Sequence, residues 1–179
     1  MCPLDLKKTV TSLRGNIQEF CARPRRSETE DDVPSGRYLE FYPKSHALRC
    51  EGQMQAGLRT GTWRCYHENG SKFVRQGYEG GLREGDGELY SETGSLEARE
   101  GWHEGLLDGR LIRYDPADGG RELVQDFRAG RAHGWLRAYA KGGRLVFERR
   151  FREGAHDGCA REREEAASGG LGPWTRRCD

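Results

Sequence analysis

The sequence lacks long apolar runs and the short motifs that mark common catalytic sites. No stretch approaches the roughly 20 apolar residues that a membrane-spanning helix needs. Neither the Gly-Lys-Ser/Thr of a phosphate-binding loop nor the Gly-x-Ser-x-Gly of a serine hydrolase occurs. We therefore predict a protein that is not an enzyme, with no catalytic residue, no cofactor and no metal site.

The charges also lack a one-sided pattern. The 30 basic and 29 acidic residues are interspersed and leave a net charge of +1. Binding to nucleic acid or to anionic lipid would require clustered lysines and arginines. We expect no nucleic-acid partner, and we do not expect a membrane partner.

The six cysteines form no Cys-x-x-Cys pair and have no zinc-site spacing. The first residues, Met-Cys-Pro-Leu-Asp-Leu-Lys-Lys, contain no apolar segment of the length that a signal peptide needs. We expect a cytoplasmic protein with reduced thiols. Cys50 and Cys65 fall in predicted strands, where we expect them to act as small core residues.

What the sequence does contain is a five-residue glycine phrase in five copies, with leading glycines 24, 24, 25 and 24 residues apart. The copies are Gly57-Leu-Arg-Thr-Gly61, Gly81-Leu-Arg-Glu-Gly85, Gly105-Leu-Leu-Asp-Gly109, Gly130-Arg-Ala-His-Gly134 and Gly154-Ala-His-Asp-Gly158. A fixed period of this length indicates copies of one supersecondary unit.

Each unit contains two short runs with aromatic and β-branched residues, joined by a second glycine turn such as Asn69-Gly70. This pattern predicts a β-hairpin, with each glycine phrase forming the bend to the next hairpin. The predicted fold is therefore all-β, an elongated single-layer antiparallel meander of repeated hairpins over residues 36–158. A helical alternative fails because glycine costs about 1 kcal/mol in a helix interior.

The two ends of the chain differ from the repeats. Val10, Leu13, Ile17 and Phe20 recur at steps of three and four residues, which predicts an amphipathic helix within residues 1–24. We expect this helix to cap the first hairpin, and a dimerising or partner-binding helix is the alternative. Residues 25–35 form a predicted charged linker, and residues 159–179 form a C-terminal extension.

Three segments of the repeat are Tyr78-Glu-Gly80, Gly85-Asp-Gly87-Glu-Leu-Tyr90 and Gly61-Thr-Trp63-Arg-Cys-Tyr66-His-Glu-Asn69-Gly70. These segments resemble the MORN repeat family, and more closely its bacterial variant. The resemblance implies a twisted single-layer sheet curled into a trough that binds or scaffolds other molecules. Similar variant repeats occur in antitoxin-like proteins, which implies an immunity or antitoxin-like protein that binds and neutralises a partner toxin.

Aromatic columns supply the candidate binding residues, since aromatic side chains are favoured at interface centres. A tyrosine follows the second glycine of four phrases by five residues, and tryptophans mark neighbouring columns. The candidates for binding a protein partner are Tyr66, Tyr90, Tyr114, Tyr139, Trp63, Trp102 and Trp135. Alternation along a strand places the tyrosine column on the face opposite Trp63.

Three alternatives remain open. The family name suggests a membrane- or phospholipid-associated scaffold. An enzyme with an unrecognised site between the repeats and a terminal extension is less favoured, because no histidine stands in a catalytic pattern. Self-association through unpaired edge strands or through the N-terminal helix is the third.

Overall fold

The computed structural model describes residues 7–13, 16–22, 35–164 and 170–178, the first two ranges by their backbone only. The described chain is all-β, and its strands are arranged as consecutive antiparallel hairpins, as the repeat predicts. It divides into two compact units, the first extending to Gly94 and the second beginning at Ser95. Residues 25–34 of the predicted linker over residues 25–35 lie outside the described residues.

The first unit contains seven strands that pair in chain order. They are β1 (Lys7–Leu13), β2 (Asn16–Ala22), β3 (Gly36–Phe41), β4 (Leu48–Gln55), β5 (Leu58–Tyr66), β6 (Lys72–Glu79) and β7 (Leu82–Tyr90). Each of the six pairings between neighbouring strands of this unit is antiparallel.

The second unit continues the pattern with nine strands and one 3₁₀ turn at Lys141–Gly143. The strands are β8 (Leu96–His103), β9 (Leu106–Leu107), β10 (Gly109–Tyr114), β11 (Arg121–Arg128), β12 (Arg131–Ala140), β13 (Arg144–Arg152), β14 (Ala155–His156), β15 (Ala160–Glu162) and β16 (Thr175–Arg177). The short strands β9 and β14 extend the hairpins of β8 and β13.

The predicted N-terminal helix is wrong. Residues Lys7–Leu13 and Asn16–Ala22 form an antiparallel hairpin, and β2 pairs with β3 through Ile17 opposite Phe41. The three- and four-residue spacing of the apolar residues imitated a helix. The β-branched run around Val10 and the glycine at position 15, between the two strands, favour a hairpin instead.

Each glycine phrase begins in a two-residue hairpin turn. The residue before the leading glycine and that glycine both have positive φ, for example 48° at Ala56 and 78° at Gly57. Positive φ at both central residues is the type I′ turn that matches the twist of a hairpin. The same position holds Gly80 in one copy and Glu104, Ala129 or Glu153 in others, all with positive φ.

The expectation that the whole phrase forms a bend is only half right. Its leading glycine lies in the turn, but the second glycine lies inside a strand, as Gly61 does in β5 and Gly85 in β7. Both have positive φ, 64° and 71°, which other residues adopt at a cost. The glycine phrase therefore covers the hairpin turn and the first half of the strand that follows it.

A β-bulge recurs on the second strand of these hairpins, and a buried side-chain amide lies against it. The register shifts between Arg75 and Gly77 and again between Gln125 and Phe127, where one residue of the first strand opposes three of the second. The Nε2 of Gln76 donates to the Gly77 carbonyl at 2.9 Å, and that of Gln125 donates to the next carbonyl in its own strand at 2.7 Å. Both glutamines are buried, and these hydrogen bonds satisfy their side-chain amides at the bulge.

In the β4–β5 hairpin a tryptophan replaces this glutamine. Trp63 is 2% exposed, and its indole Nε1 donates to the Gln53 carbonyl at 3.2 Å. Gly52 stands where the glutamine would be, and a Cβ there would lie 2.4 Å from the indole ring. Gly52 with Trp63 is therefore the counterpart of Gln76 with Gly87, with the large and small residues exchanged across the strands.

Trp63 is the centre of the core of the first unit. Its ring lies 5.3 Å from that of Tyr38 and 6.1 Å from that of Tyr78, and the Arg59 guanidinium stacks on it at 4.2 Å. Cys50 joins the same buried cluster, which confirms its prediction as a core residue.

The cysteines differ from the prediction of reduced thiols. Cys50 on β4 and Cys65 on β5 stand opposite each other and form a disulfide. A second disulfide joins Cys159 to Cys178. The predicted cytoplasmic location therefore no longer draws support from the state of these four cysteines.

The C-terminal extension joins the sheet of the second unit through β15, which pairs with β13 by Glu162 opposite Phe147. Three further features connect the two halves of the extension to each other. Strand β16 pairs with β15, and the Cys159–Cys178 disulfide connects the same segments. The Trp174 ring lies 4.5 Å from the Arg163 guanidinium and 5.7 Å from that of Arg161.

Candidate binding site

Two of the predicted tyrosines, Tyr66 and Tyr90, line one pocket in the first unit. Tyr66 ends β5, Tyr90 ends β7, and strand β6 runs between them. The pocket has a volume of about 230 Å³ and is lined by Arg64, Cys65, Tyr66, Lys72, Val74, Arg75, Glu88 and Tyr90. We call this the tyrosine pocket.

The turn after Tyr66 fixes how the two tyrosines stand relative to each other. The His67 Nε2 donates to the Tyr90 carbonyl at 2.9 Å, and the Asn69 amide donates to the Glu92 carbonyl at 3.1 Å. Side chains at the end of one hairpin are thus bonded to the main chain at the end of the next. The position of the pocket walls is therefore set before any partner arrives.

Each tyrosine hydroxyl is anchored on a glutamate. Tyr66 donates to Glu51 Oε1 at 3.0 Å, and Tyr90 donates to Glu88 Oε2 at 3.0 Å. Burial, followed by the Glu51 hydrogen bond, raises the pKa of the Tyr66 hydroxyl, so it remains a neutral donor at physiological pH. Anchoring the hydroxyls immobilises the rings and leaves their faces as contact surface.

Each of these glutamates also lies within ion-pair distance of an arginine. Arg37 lies 3.1 Å from Glu51, and Arg75 lies 3.9 Å from Glu88. The Lys72 ammonium stands 5.7 Å from the centre of the Tyr90 ring. Arg64 and Lys72 are both exposed and have no ion pair within the described part of the chain. The pocket therefore carries positive charge that its own glutamates do not neutralise.

Trp63 does not belong to this surface. It is buried on the Tyr38 and Tyr78 side of the sheet, so its ring is not available to a partner. Tyr66 instead reaches Glu51, whose strand partner is Arg64, the residue that follows Trp63. The expected placement of Tyr66 opposite Trp63 agrees with these contacts.

The remaining predicted residues lie in the second unit and do not line the tyrosine pocket. Tyr114 stands opposite Arg121, and Tyr139 borders a space of about 20 Å³, enough for roughly one water molecule. Trp102 is half-buried and donates to Glu100 at 3.0 Å. Trp135 is half-buried, with the Arg137 guanidinium 5.4 Å from its ring.

Sequence reasoning missed the charged residues of the pocket. Arg64 precedes Tyr66 by two positions and Glu88 precedes Tyr90 by two, the spacing that places side chains on one face of a strand. That spacing would have identified them. Lys72 is paired with Tyr66 because the β5–β6 register shifts between Cys65 and Tyr66, and simple alternation along a strand does not predict that shift.

Two features that would point to other functions, a metal-holding cluster and a membrane-spanning helix, do not occur in the described ranges. Those residues contain no group of three or more histidine, cysteine or acidic side chains able to hold a metal ion. No helix in the described part of the chain is long and apolar enough to cross a membrane.

Comparison with known proteins adds no assignment: no family model matches the chain, and no curated protein is similar to it at a significant level.

Proposed function

We propose that this chain is a non-catalytic protein-binding module and that the tyrosine pocket is part of its binding surface. The observation that carries the proposal is the pair of rings, Tyr66 and Tyr90, whose hydroxyls and flanking turns are already fixed by hydrogen bonds. Rigid aromatic side chains contribute large contact areas at a small entropy cost, which is why they dominate interface energetics.

The nature of the partner rests on the MORN-like repeat. The antitoxin-like proteins that share this kind of repeat support a role as an immunity protein that occludes a toxin. A shared fold can host unrelated functions, whereas the tyrosine pocket is a feature of this chain itself.

The test is capture of the native partner by tagged chains. We expect the wild-type chain to retain one protein stoichiometrically, and we expect the variant Tyr66→Ala/Tyr90→Ala to lose it. Loss of aromatic anchors at an interface centre typically costs 2 kcal/mol or more, about thirtyfold in affinity.

Leu82→Ser supplies the control. Leu82 is an apolar residue of β7, is 52% exposed and does not line the pocket. Capture that persists in the tyrosine variant, or that is lost equally in Leu82→Ser, contradicts the proposal. Circular dichroism of each variant verifies that the sheet is intact.

A further inference from the structure

We propose that the tyrosine pocket recognises an acidic segment of its protein partner, with one apolar side chain between the rings and carboxylates on Arg64 and Lys72. The inference rests on the proposed function and specifies the chemistry of the partner.

The charge of the pocket supports an acidic segment. Three cations, Arg64, Lys72 and Arg75, line it together with a single carboxylate, Glu88. Glu88 already accepts a hydrogen bond from Tyr90 and lies 3.9 Å from Arg75. The two cations left over are exposed, and a carboxylate from a partner would give each of them a counter-ion.

The shape of the pocket supports one apolar side chain. Tyr66 and Tyr90 lie on β5 and β7, two strands that are ~10 Å apart at the usual ~4.8 Å strand spacing, and Lys72 and Val74 of β6 line the pocket between them. Carbon atoms in contact are ~3.5–4 Å apart, so this spacing leaves room for one partner side chain above β6 with a ring on each side. The cavity of about 230 Å³ suits a residue the size of leucine or phenylalanine.

Lys72 connects the two halves of this arrangement. Its ammonium is 5.7 Å from the Tyr90 ring centre, and its residue is paired with Tyr66 across the strands. An acidic residue adjacent to the inserted side chain would therefore meet Lys72 at the rim. A basic segment would face three like charges at the same place.

The experiment uses the full chain and the synthetic peptide acetyl-Glu-Glu-Phe-Glu-Glu-amide, followed by NMR titration. The control peptides replace glutamate with glutamine or with lysine. We expect the glutamate peptide to bind about tenfold more tightly than the glutamine peptide at low salt, with the difference shrinking as salt is added. Resonances of Tyr66 and Tyr90 should shift.

Variants assign the effect to the two cations. Arg64→Gln and Lys72→Gln should each weaken the glutamate peptide about fivefold and leave the glutamine peptide unchanged. Lys141→Gln, an exposed lysine of the other unit, should change neither.

Four results overturn the inference. They are equal binding of the glutamate and glutamine peptides, tighter binding of the lysine peptide, no binding of any peptide, and stronger retention by phosphatidylserine vesicles that depends on the same two cations. If the native partner is still lost on Tyr66→Ala/Tyr90→Ala but retained by Arg64→Gln/Lys72→Gln, the acidic segment is refuted and the binding module stands.

Discussion

The exchange of large and small residues across the bulge predicts strong coupling between Gly52 and Trp63. Gly52→Gln alone places a Cβ 2.4 Å from the indole ring, so the ring must move and overpacking should cost about 3 kcal/mol. Trp63→Leu alone leaves a cavity and an uncapped Gln53 carbonyl, which should also cost about 3 kcal/mol.

The double variant Gly52→Gln/Trp63→Leu recreates the pair that Gln125 and Leu136 form opposite each other in the second unit. The introduced amide can then cap the bulge carbonyl as Gln125 does. We expect the double variant to lose only about 2–3 kcal/mol, well short of the roughly 6 kcal/mol that additivity would give.

Urea unfolding followed by far-ultraviolet circular dichroism measures the free energy of unfolding of each variant. Trp102→Leu is the matched control, since that indole bonds to a glutamate side chain and lies in the other unit. Its effect should add to that of Gly52→Gln. Additivity of Gly52→Gln and Trp63→Leu within about 0.5 kcal/mol would refute the bulge-capping argument.

Three further predictions concern the turns, the disulfides and a buried tyrosine. Ala56→Gly should stabilise the chain by about 1 kcal/mol and Gly80→Ala should destabilise it by a similar amount, because both positions have positive φ. A Cβ at Gly80 would touch nothing, so the cost there comes from the backbone alone. Thermal denaturation measures both changes, and changes of the same sign would contradict the turn assignment. Reduction of the Cys50–Cys65 disulfide, which closes a loop of 15 residues, should cost about 3 kcal/mol. Unfolding with and without dithiothreitol measures this cost, and a Cys50→Val/Cys65→Leu variant should lose this part of the sensitivity to dithiothreitol. Burial, and secondarily Glu40, raises the pKa of Tyr38 from 10.0 to about 12, so the folded state holds a proton that the unfolded state has lost between those values. The free energy of unfolding should therefore be unaffected below pH 10 and fall by about 2 kcal/mol towards pH 12; a Tyr38→Phe variant that falls equally would exclude this residue as the cause.

The repeat period was enough to predict the strands and their order, because type I′ turns require positive φ and glycine supplies it cheaply. The same logic did not identify Ala56, Glu104 or Glu153 as turn residues, since they are not residues that favour this conformation. In these copies the pairing of the flanking strands determines the turn. Local preference is overridden by the sheet.

The prediction of an N-terminal helix failed for a related reason. Apolar residues at steps of three and four are compatible with a helix or with two short strands joined by a turn, and their spacing alone does not distinguish the two. The pairing that distinguishes strand from helix here is that of Ile17 with Phe41, which lies one repeat further along the chain. That relationship requires the period to be extended upstream of the first glycine phrase.

The candidate site was predictable in its aromatic part only. Tyr66 and Tyr90 follow from their column, whereas Trp63 belonged to an aromatic pattern that turned out to be core. An aromatic column alone does not show whether its residues are core or surface. That depends on the residue across the strand pair, and this position is Gly52 in one repeat and Gln76 in the next. The positive charge of the pocket comes from two neighbouring strands, with Arg64 in β5 and Lys72 and Arg75 in β6. Only the pairing of these strands brings the three cations to one site.

Hydrogen exchange of the full chain with and without its captured partner tests the binding surface most directly. The amides of residues 64–66, 72–75 and 88–90 should gain protection when the partner is bound. Protection confined to the second unit, or to the glycine-phrase turns, would contradict the assignment of the tyrosine pocket.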